Sequence, residues 1–132
     1  MPAVIAALAA FLLTGLSAAS PLPNLRSAAA KRGHVVVTFT LGELAPGRIL
    51  VAVRGKTTAT GRLVATNVRL NEPLGRTTKT ATGYRRASTK RALSAGVYYA
   101  QVSGIVVGLD CTPRRPCPQD WSNVRRVRIP SS

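Results

Sequence analysis

The sequence predicts an all-β protein built as a single antiparallel sandwich. Short runs of alternating apolar and polar residues recur after residue 20, and clusters of Gly, Pro, Asn and Thr separate them. The chain after residue 20 contains no amphipathic helix pattern of useful length. A chain of 132 residues has room for one domain and little more. Together these observations favour a sandwich over a fold with alternating strands and helices.

The two clearest predicted strands follow one another. They cover residues 34–41 and 48–54, and a turn that contains Gly42, Pro46 and Gly47 lies between them. The odd positions of both runs are apolar and would form one face of each strand: Val35, Val37, Phe39 and Leu41, then Ile49, Val51 and Val53. We interpret the pair as adjacent antiparallel strands.

Three more strands are predicted at residues 62–70, 97–107 and 122–129. Their inward faces would carry Val64, Thr66, Val68 and Leu70, then Tyr98, Ala100 and Val102, then Val127 and Ile129. The last run also turns Arg125 inward unless a bulge shifts its register. Residues 71–92 contain a weaker alternation typical of a polar edge strand: Thr78, Thr80, Thr82 and Tyr84. About six or seven strands fit a chain of this size.

The first 25 residues differ chemically from the rest of the chain. Residues 4–16 form an unbroken run of apolar or small side chains, and all 19 Lys and Arg residues lie at or beyond Arg26. Small residues follow the run at positions 17–19, which is the pattern that a signal peptidase requires. A membrane-spanning helix would need about 20 apolar residues, so this run is too short for one.

We therefore expect residues 1–19 to be a helical signal peptide that is cleaved after Ala19, and residues 20–132 to be the mature domain. This assignment predicts a secreted protein without a membrane span. An uncleaved start is the alternative, because no Lys or Arg precedes the apolar run.

The chain contains two cysteines, Cys111 and Cys117. Thiols of an exported protein oxidise, so a disulfide between them is expected. It would close a small ring, for which the chain-entropy estimate is about 2 kcal/mol, and would stiffen a loop more than it stabilises the fold. A metal site is the alternative, but two cysteines and the single His34 cannot supply four zinc ligands.

Several runs resemble the fibronectin type III family. Residues 21–25 (PLPNL) resemble its opening Pro-x-Pro-x-x-Leu strand, and Phe39 stands where a core Val-x-Val-x-Trp run has Trp. Residues 93–102 (LSAGVYYAQV) are similar to the Leu-x-Pro-Gly-Thr-x-Tyr-x-Val run of the sixth strand, with Ala95 in place of Pro. Residues 121–129 resemble the last strand of many secreted bacterial members. The resemblance covers most of residues 21 to 130.

The resemblance implies a seven-strand immunoglobulin-like sandwich that binds or spaces and does not catalyse. Binding in such modules often uses the loops at one end. Here the corresponding loop covers residues 108–120, which contain the two cysteines, three prolines, Arg114 and Arg115. A stiff loop loses less entropy on binding, so this loop is a candidate contact surface.

Catalysis has little support in the sequence. The acids are few and scattered: Glu43, Glu72, Asp110 and Asp120. There is no Gly-rich phosphate loop, no Cys-x-x-Cys pair and no set of carboxylates at metal-binding spacing in the sequence. We expect a protein that is not an enzyme and needs no cofactor and no metal. A hydrolase would have to use His34 as its base, and that is the remaining enzymatic alternative.

The formal net charge of +15 favours an anionic partner. Arginine outnumbers lysine 15 to 4, and its planar fork suits carboxylate, sulfate or phosphate. The candidate anion-binding or ligand-binding residues are Arg114, Arg115, Arg125, Arg126, Arg128 and Tyr99. The alternative is a solvated surface without a ligand. Tyr98 and Trp121 are expected in the core, whereas Tyr99 would point the other way.

The sequence thus predicts a secreted, monomeric binding or structural module. An anionic polysaccharide or cell-wall polymer is the favoured partner. Nucleic acid is disfavoured, because three tyrosines and one tryptophan offer few platforms for base stacking. The alternative function is that of a cationic effector acting on anionic envelopes or membranes.

Overall fold

The computed structural model describes residues 23–75, 77–108 and 110–131. Within these ranges the chain forms nine strands and one 3-10 turn, at Ala65–Asn67. The strands are β1 Asn24–Lys31, β2 His34–Thr40, β3 Ala45–Ala52, β4 Val68–Pro73, β5 Thr78–Lys79, β6 Arg85–Ser88, β7 Gly96–Ile105, β8 Gln119–Trp121 and β9 Arg125–Ile129. The expected signal peptide, residues 1–19, lies outside the described residues.

The strands form two antiparallel sheets. Sheet A has the order β1-β2-β6-β5, and sheet B has the order β4-β3-β7, with β8 and β9 both paired to the far side of β7. The all-β class and the two-layer arrangement are confirmed. The expected count of seven strands is wrong, because residues 71–92 contribute two strands, β5 and β6, and a further short strand, β8, lies before the last predicted strand at residues 122–129.

A bulge separates β8 from β9. Ser103 lies opposite Trp121 and Ala100 lies opposite Arg125, so three steps along β7 correspond to four steps along the partner. One extra residue is therefore accommodated between the two short strands. This bulge lies before Arg125, so Arg125 keeps the parity of Val127 and Ile129 and lies opposite the core residue Ala100, as the alternation of the last strand predicts.

The expected pairing of the strands at residues 34–41 and 48–54, which are β2 and β3, is wrong. β2 pairs with β1 and β6, whereas β3 pairs with β4 and β7. The turn between Leu41 and Leu44, which is closed by a 3.0 Å backbone hydrogen bond, carries the chain from one sheet to the other. Alternation identified the inward residues of both strands correctly, but it does not determine which strand lies alongside.

The main core fills the space between the sheets. It contains the alternating residues of β2 together with Leu25, Ile49, Val51, Leu70, Leu74, Ala87, Tyr98, Ala100, Val102, Val127 and Ile129. Val35, Val37 and Phe39 are fully buried, as the alternation of β2 predicts. Burying side chains of this size contributes about 1.5–3 kcal/mol each and is the main source of stability.

A second, smaller cluster lies on the opposite side of sheet B. Leu50, Ala52 and Leu63 are fully buried there, although the first two belong to the outward positions of β3. Residues 53–67 cross this outer face and cover it, with Leu63 bridged to Thr57. The strand expected over residues 62–70 therefore begins only at Val68, and Thr66 is exposed rather than inward.

Candidate anion-binding surfaces

The disulfide loop joins β7 to β8. Cys111 and Cys117 are bonded as expected, with their Cα atoms 5.1 Å apart. Within the ring, Thr112 and Arg115 exchange both backbone hydrogen bonds, at 2.9 and 3.0 Å. This hairpin presents exposed Arg114 at its tip. The loop is stiffened both by the disulfide and by these paired backbone groups.

The end of sheet B that carries this loop also carries most of the acidic side chains. Ala45 pairs with Ile105, so the β2–β3 turn and the disulfide loop lie at the same end. Glu43 belongs to that turn, Asp110 to the loop, and Asp120 lies opposite Gly104 near the end of β7. Three of the four acids therefore offset the positive potential of the arginine-tipped loop.

Tyr99 lies on the outer face of sheet B. Its neighbours Tyr98 and Ala100 belong to the main core, so the period of two turns Tyr99 outward, as expected. On β9, Arg126 lies directly opposite Tyr99. The next outward pair is Val97, which is 38% exposed, and Arg128.

Gly55 brings a third arginine to this region. A Cβ atom at position 55 would fall 2.9 Å from Cδ1 of Tyr99, so only glycine permits the chain to pass so close to the ring. The adjacent Arg54 is exposed. We call this group the Tyr99 patch, and it consists of Arg54, Val97, Tyr99, Arg126 and Arg128. The Tyr99 hydroxyl makes no hydrogen bond to any of the described residues.

No acidic residue belongs to the covering segment 53–67 or to the outward positions of the described strands of sheet B. Among the described residues, moreover, no Lys or Arg side chain takes part in an ion pair. No described residue therefore neutralises the basic groups on this face, and their fields add.

Trp121 occupies the same outer face but is not free to bind. It lies opposite Ser103 and packs half-buried against the second cluster rather than between the sheets, so its expected place in the main core is corrected. The Arg62 guanidinium lies 5.3 Å from the centre of its ring. Nε of Arg62 is buried and has no hydrogen-bond partner among the described residues. This arginine is positioned by the aromatic ring.

Arg125 stabilises the edge of the sandwich. Its Nε donates a 3.1 Å hydrogen bond to the carbonyl of Leu25 in β1. Asn123, in the bulge, accepts from the Leu25 N–H at 2.8 Å and donates to the Leu25 carbonyl at 3.0 Å. These contacts join β1 of sheet A to the strand that closes sheet B.

The predicted anion-binding residues thus fall into three places. Arg114 and Arg115 lie on the disulfide loop, Arg126 and Arg128 flank Tyr99 on the sheet, and Arg125 contacts the backbone of β1. The sequence did not reveal the contribution of Arg54. The only available signal was the isolated Gly55, which is typical of a close backbone approach.

His34 makes a structural contact at the start of β2. Nδ1 of His34 lies 2.8 Å from the Thr89 carbonyl, a contact that anchors the start of β2 to the segment after β6. In the described ranges, no group of three or more His, Cys, Asp or Glu side chains is arranged to hold a metal ion. None of the helices in those ranges is long and apolar enough to span a bilayer.

Two antiparallel sheets around one core, with an acid-free, arginine-rich face on one of them, define this chain as an all-β sandwich with a cationic surface. No family model matches the chain, and searches of curated proteins and of solved structures returned no match.

Proposed function

We propose that the chain is a secreted, non-catalytic module of the fibronectin type III-like class that binds anionic extracellular or cell-wall polymers. The observation that carries this proposal is the formal net charge of +15, together with the finding that no Lys or Arg side chain forms an ion pair with an acid among the described residues. Such a surface attracts polyanions over long distances at low ionic strength. An anionic polymer would supply the counter-charges that the protein lacks.

Two structural features support the class. With β1, β2, β6 and β5 corresponding to strands A, B, E and D, the chain divides its strands between two sheets as immunoglobulin-like sandwiches do. The Tyr98 hydroxyl donates a 2.8 Å hydrogen bond to the carbonyl of Ser94, four residues upstream, at the start of β7. This contact is similar to the tyrosine corner found at the equivalent place in such domains.

Two further observations support export. The apolar run at residues 4–16 precedes small residues suited to cleavage, and the Cys111–Cys117 disulfide is typical of an oxidising compartment. Expression of the whole chain in a secreting host, followed by N-terminal sequencing of the protein in the medium, tests this part. We expect the sequence to begin at Ser20. Retention in the cells with an intact N-terminus would contradict it.

The binding proposal is tested with polygalacturonate, polyphosphate and, as a neutral control, dextran. We expect at least one polyanion to bind at low salt and dextran not to bind. Because each neutralised contact releases counterions, affinity should fall steeply and log-linearly between about 50 and 200 mM salt. Absence of binding to every polyanion, or affinity that does not change with salt, would contradict the proposal.

A parallel measurement separates the binding module from the cationic effector. Vesicles that contain anionic phosphatidylglycerol are loaded with a fluorescent dye and mixed with the protein. A module that only binds polymers should leave the dye inside. Dye release at low protein concentration would favour the effector.

A further inference from the structure

We infer that the polymer binds on the outer face of sheet B, at the Tyr99 patch, and not at the arginine-tipped loop, and that its repeating unit is a pyranose ring with a carboxylate. A polyuronate has this chemistry. The inference rests on the proposed function, which it makes specific for a surface and for a ligand class.

The distribution of charge favours the sheet over the loop. Arg114 and Arg115 share their end of sheet B with Glu43, Asp110 and Asp120. A polyanion approaching that end would meet carboxylates as well as guanidinium groups. The Tyr99 patch carries three arginines, and no acid belongs to the outward positions around it. Repulsion at the loop and attraction at the patch both direct a polyanion to the sheet.

The backbone holds the patch in a fixed arrangement. Arg126 and Arg128 are alternate residues of β9, so their Cα atoms are about 7 Å apart along the strand. Arg126 is the direct cross-strand neighbour of Tyr99, which places their Cβ atoms about 5 Å apart. Little ordering of the main chain is then required on binding, so less affinity is lost than at a flexible segment.

The residue types of the patch match a uronate. A guanidinium group binds a carboxylate through two parallel hydrogen bonds, which a lysine cannot do. Tyr99 is half-buried, because it packs against the second cluster and Gly55 lies close to one side of its ring. The exposed part of the ring offers an apolar surface for the C–H groups of a sugar, and the hydroxyl, which has no hydrogen-bond partner among the described residues, can bond to a sugar hydroxyl. The adjacency of Tyr99 and Arg126 therefore suits a ligand with a flat apolar face next to an acid group. A linear polyphosphate has no such ring.

The other acid-poor surface is a depression that no aromatic residue lines. On sheet A, Lys31 and Arg86 flank this shallow depression of about 330 Å³, which is lined also by Thr78, Ser88 and Val36. Tyr84 belongs to the same side of the molecule, but the Arg26 guanidinium already stacks on its ring, 4.5 Å from the ring centre. The charges of the depression can attract a polyanion, but its lining offers no ring against which a sugar can stack. This surface therefore provides a control with the same number of charges.

The decisive experiment compares three double variants, each of which removes two positive charges: R126A/R128A in the patch, R114A/R115A in the loop and K31A/R86A on sheet A. Binding of polygalacturonate is measured at one low salt concentration. We expect the patch variant to lose about tenfold or more in affinity, and the other two to lose less than about threefold. Equal losses in all three, or the largest loss in the loop variant, would overturn the assignment to the patch.

Variants of Tyr99 test the ligand class. Tyr99→Ala should weaken polygalacturonate binding about fivefold to tenfold and leave polyphosphate binding nearly unchanged, because only the sugar polymer stacks on the ring. Equal weakening of both polymers would overturn the uronate assignment. So would binding of a single-stranded oligonucleotide that is tighter than that of polygalacturonate and equally dependent on Tyr99.

Two further measurements keep the test decisive. If R126A/R128A does not fold, as judged by thermal unfolding, R126K/R128K replaces it. This variant keeps the charge and loses the fork, and we expect it still to bind less tightly than wild type; unchanged affinity would overturn the role of the two arginines. Wild-type protein that binds no polyanion contradicts the proposed function itself, whereas binding that ignores the patch contradicts only this inference.

Discussion

The outer faces of sheet A and sheet B differ in what covers them. On sheet A, the outward residues of β2 are small or polar and only half-buried, and no other element crosses them in the described parts of the chain. On sheet B, residues 53–67 cover Leu50 and Ala52 and enclose the buried Gln101. Sheet B therefore packs on both sides, and β3 is buried without interruption from Ile49 to Ala52. A run that is apolar at every position indicates a strand covered on both faces.

Substitutions in the main core should destabilise the fold more than substitutions in the second cluster on the outer face of sheet B. Phe39→Ala removes the largest fully buried side chain, and we expect the free energy of unfolding to fall by about 3–5 kcal/mol because a cavity remains between the sheets. Urea unfolding followed by Trp121 fluorescence measures the change. Thr38→Ala, on the outward side of the same strand, is the matched control and should stay within about 0.5 kcal/mol. Similar losses of stability in both variants would contradict the assignment of Phe39 to the main core.

The covering segment depends on one buried amide. The Gln101 side chain accepts a 2.9 Å hydrogen bond from the N–H of Leu63 and donates to the carbonyls of Gly61 and Ser122. Gln101→Ala leaves these groups unpaired, and we expect a loss of about 2–3 kcal/mol.

Hydrogen exchange distinguishes local from global destabilisation in Gln101→Ala. The Leu63 amide should exchange much faster. Exchange of the Val37 amide in sheet A should accelerate only as far as the overall free energy of unfolding falls. Arg69→Ala, at an exposed position of β4 in the same sheet, is the control. Unchanged protection of Leu63 would show that the segment is held by its apolar contacts alone.

The edge between the two sheets should show the smallest of these effects. Asn123→Ala removes both hydrogen bonds to the backbone of Leu25, for an expected loss of about 1–2 kcal/mol. Asn71→Ala removes a comparable amide that accepts from Arg48 on the exposed surface, and it should cost less than about 0.5 kcal/mol. Equal melting temperatures for the two variants would show that the hydrogen bonds of Asn123 to Leu25 do not stabilise the contact between the sheets.

The sequence predicted side-chain faces better than strand partners. The inward positions of β2, β7 and β9 followed from alternation alone, since each strand has one face on the main core. The pairing of β2 with β3 was wrong, because partner choice depends on contacts between residues far apart in the chain. The strand expected over residues 62–70 is correct only from Val68 onward, because Leu63 packs against Leu50 in the covering segment and does not belong to β4.

The candidate surface was predictable only in part. Arg126, Arg128 and Tyr99 were identified from charge and from the alternation of β7, and the pairing of β7 with β9 brings them together. The alternation of the last strand already separates Arg125 from Arg126 and Arg128, because it turns Arg125 to the inward side. The contact of Arg125 with Leu25 could not be predicted from the sequence, because it depends on the position of the other sheet. The acids around the disulfide loop were visible in the sequence, but their proximity follows only from the topology.

The hydrogen bonds that join Leu25 to Asn123 and Arg125 form late during synthesis of the chain. The bonds from Asn123 and Arg125 to Leu25 span 98 and 100 residues, so they form only after nearly the whole chain has been synthesised. Contacts of such long sequence separation are slow to form, because the entropy of closing the intervening chain is lost first. Until then β1 lacks these hydrogen bonds to the residues that close sheet B. A nascent chain shorter than about 123 residues therefore cannot complete the sandwich.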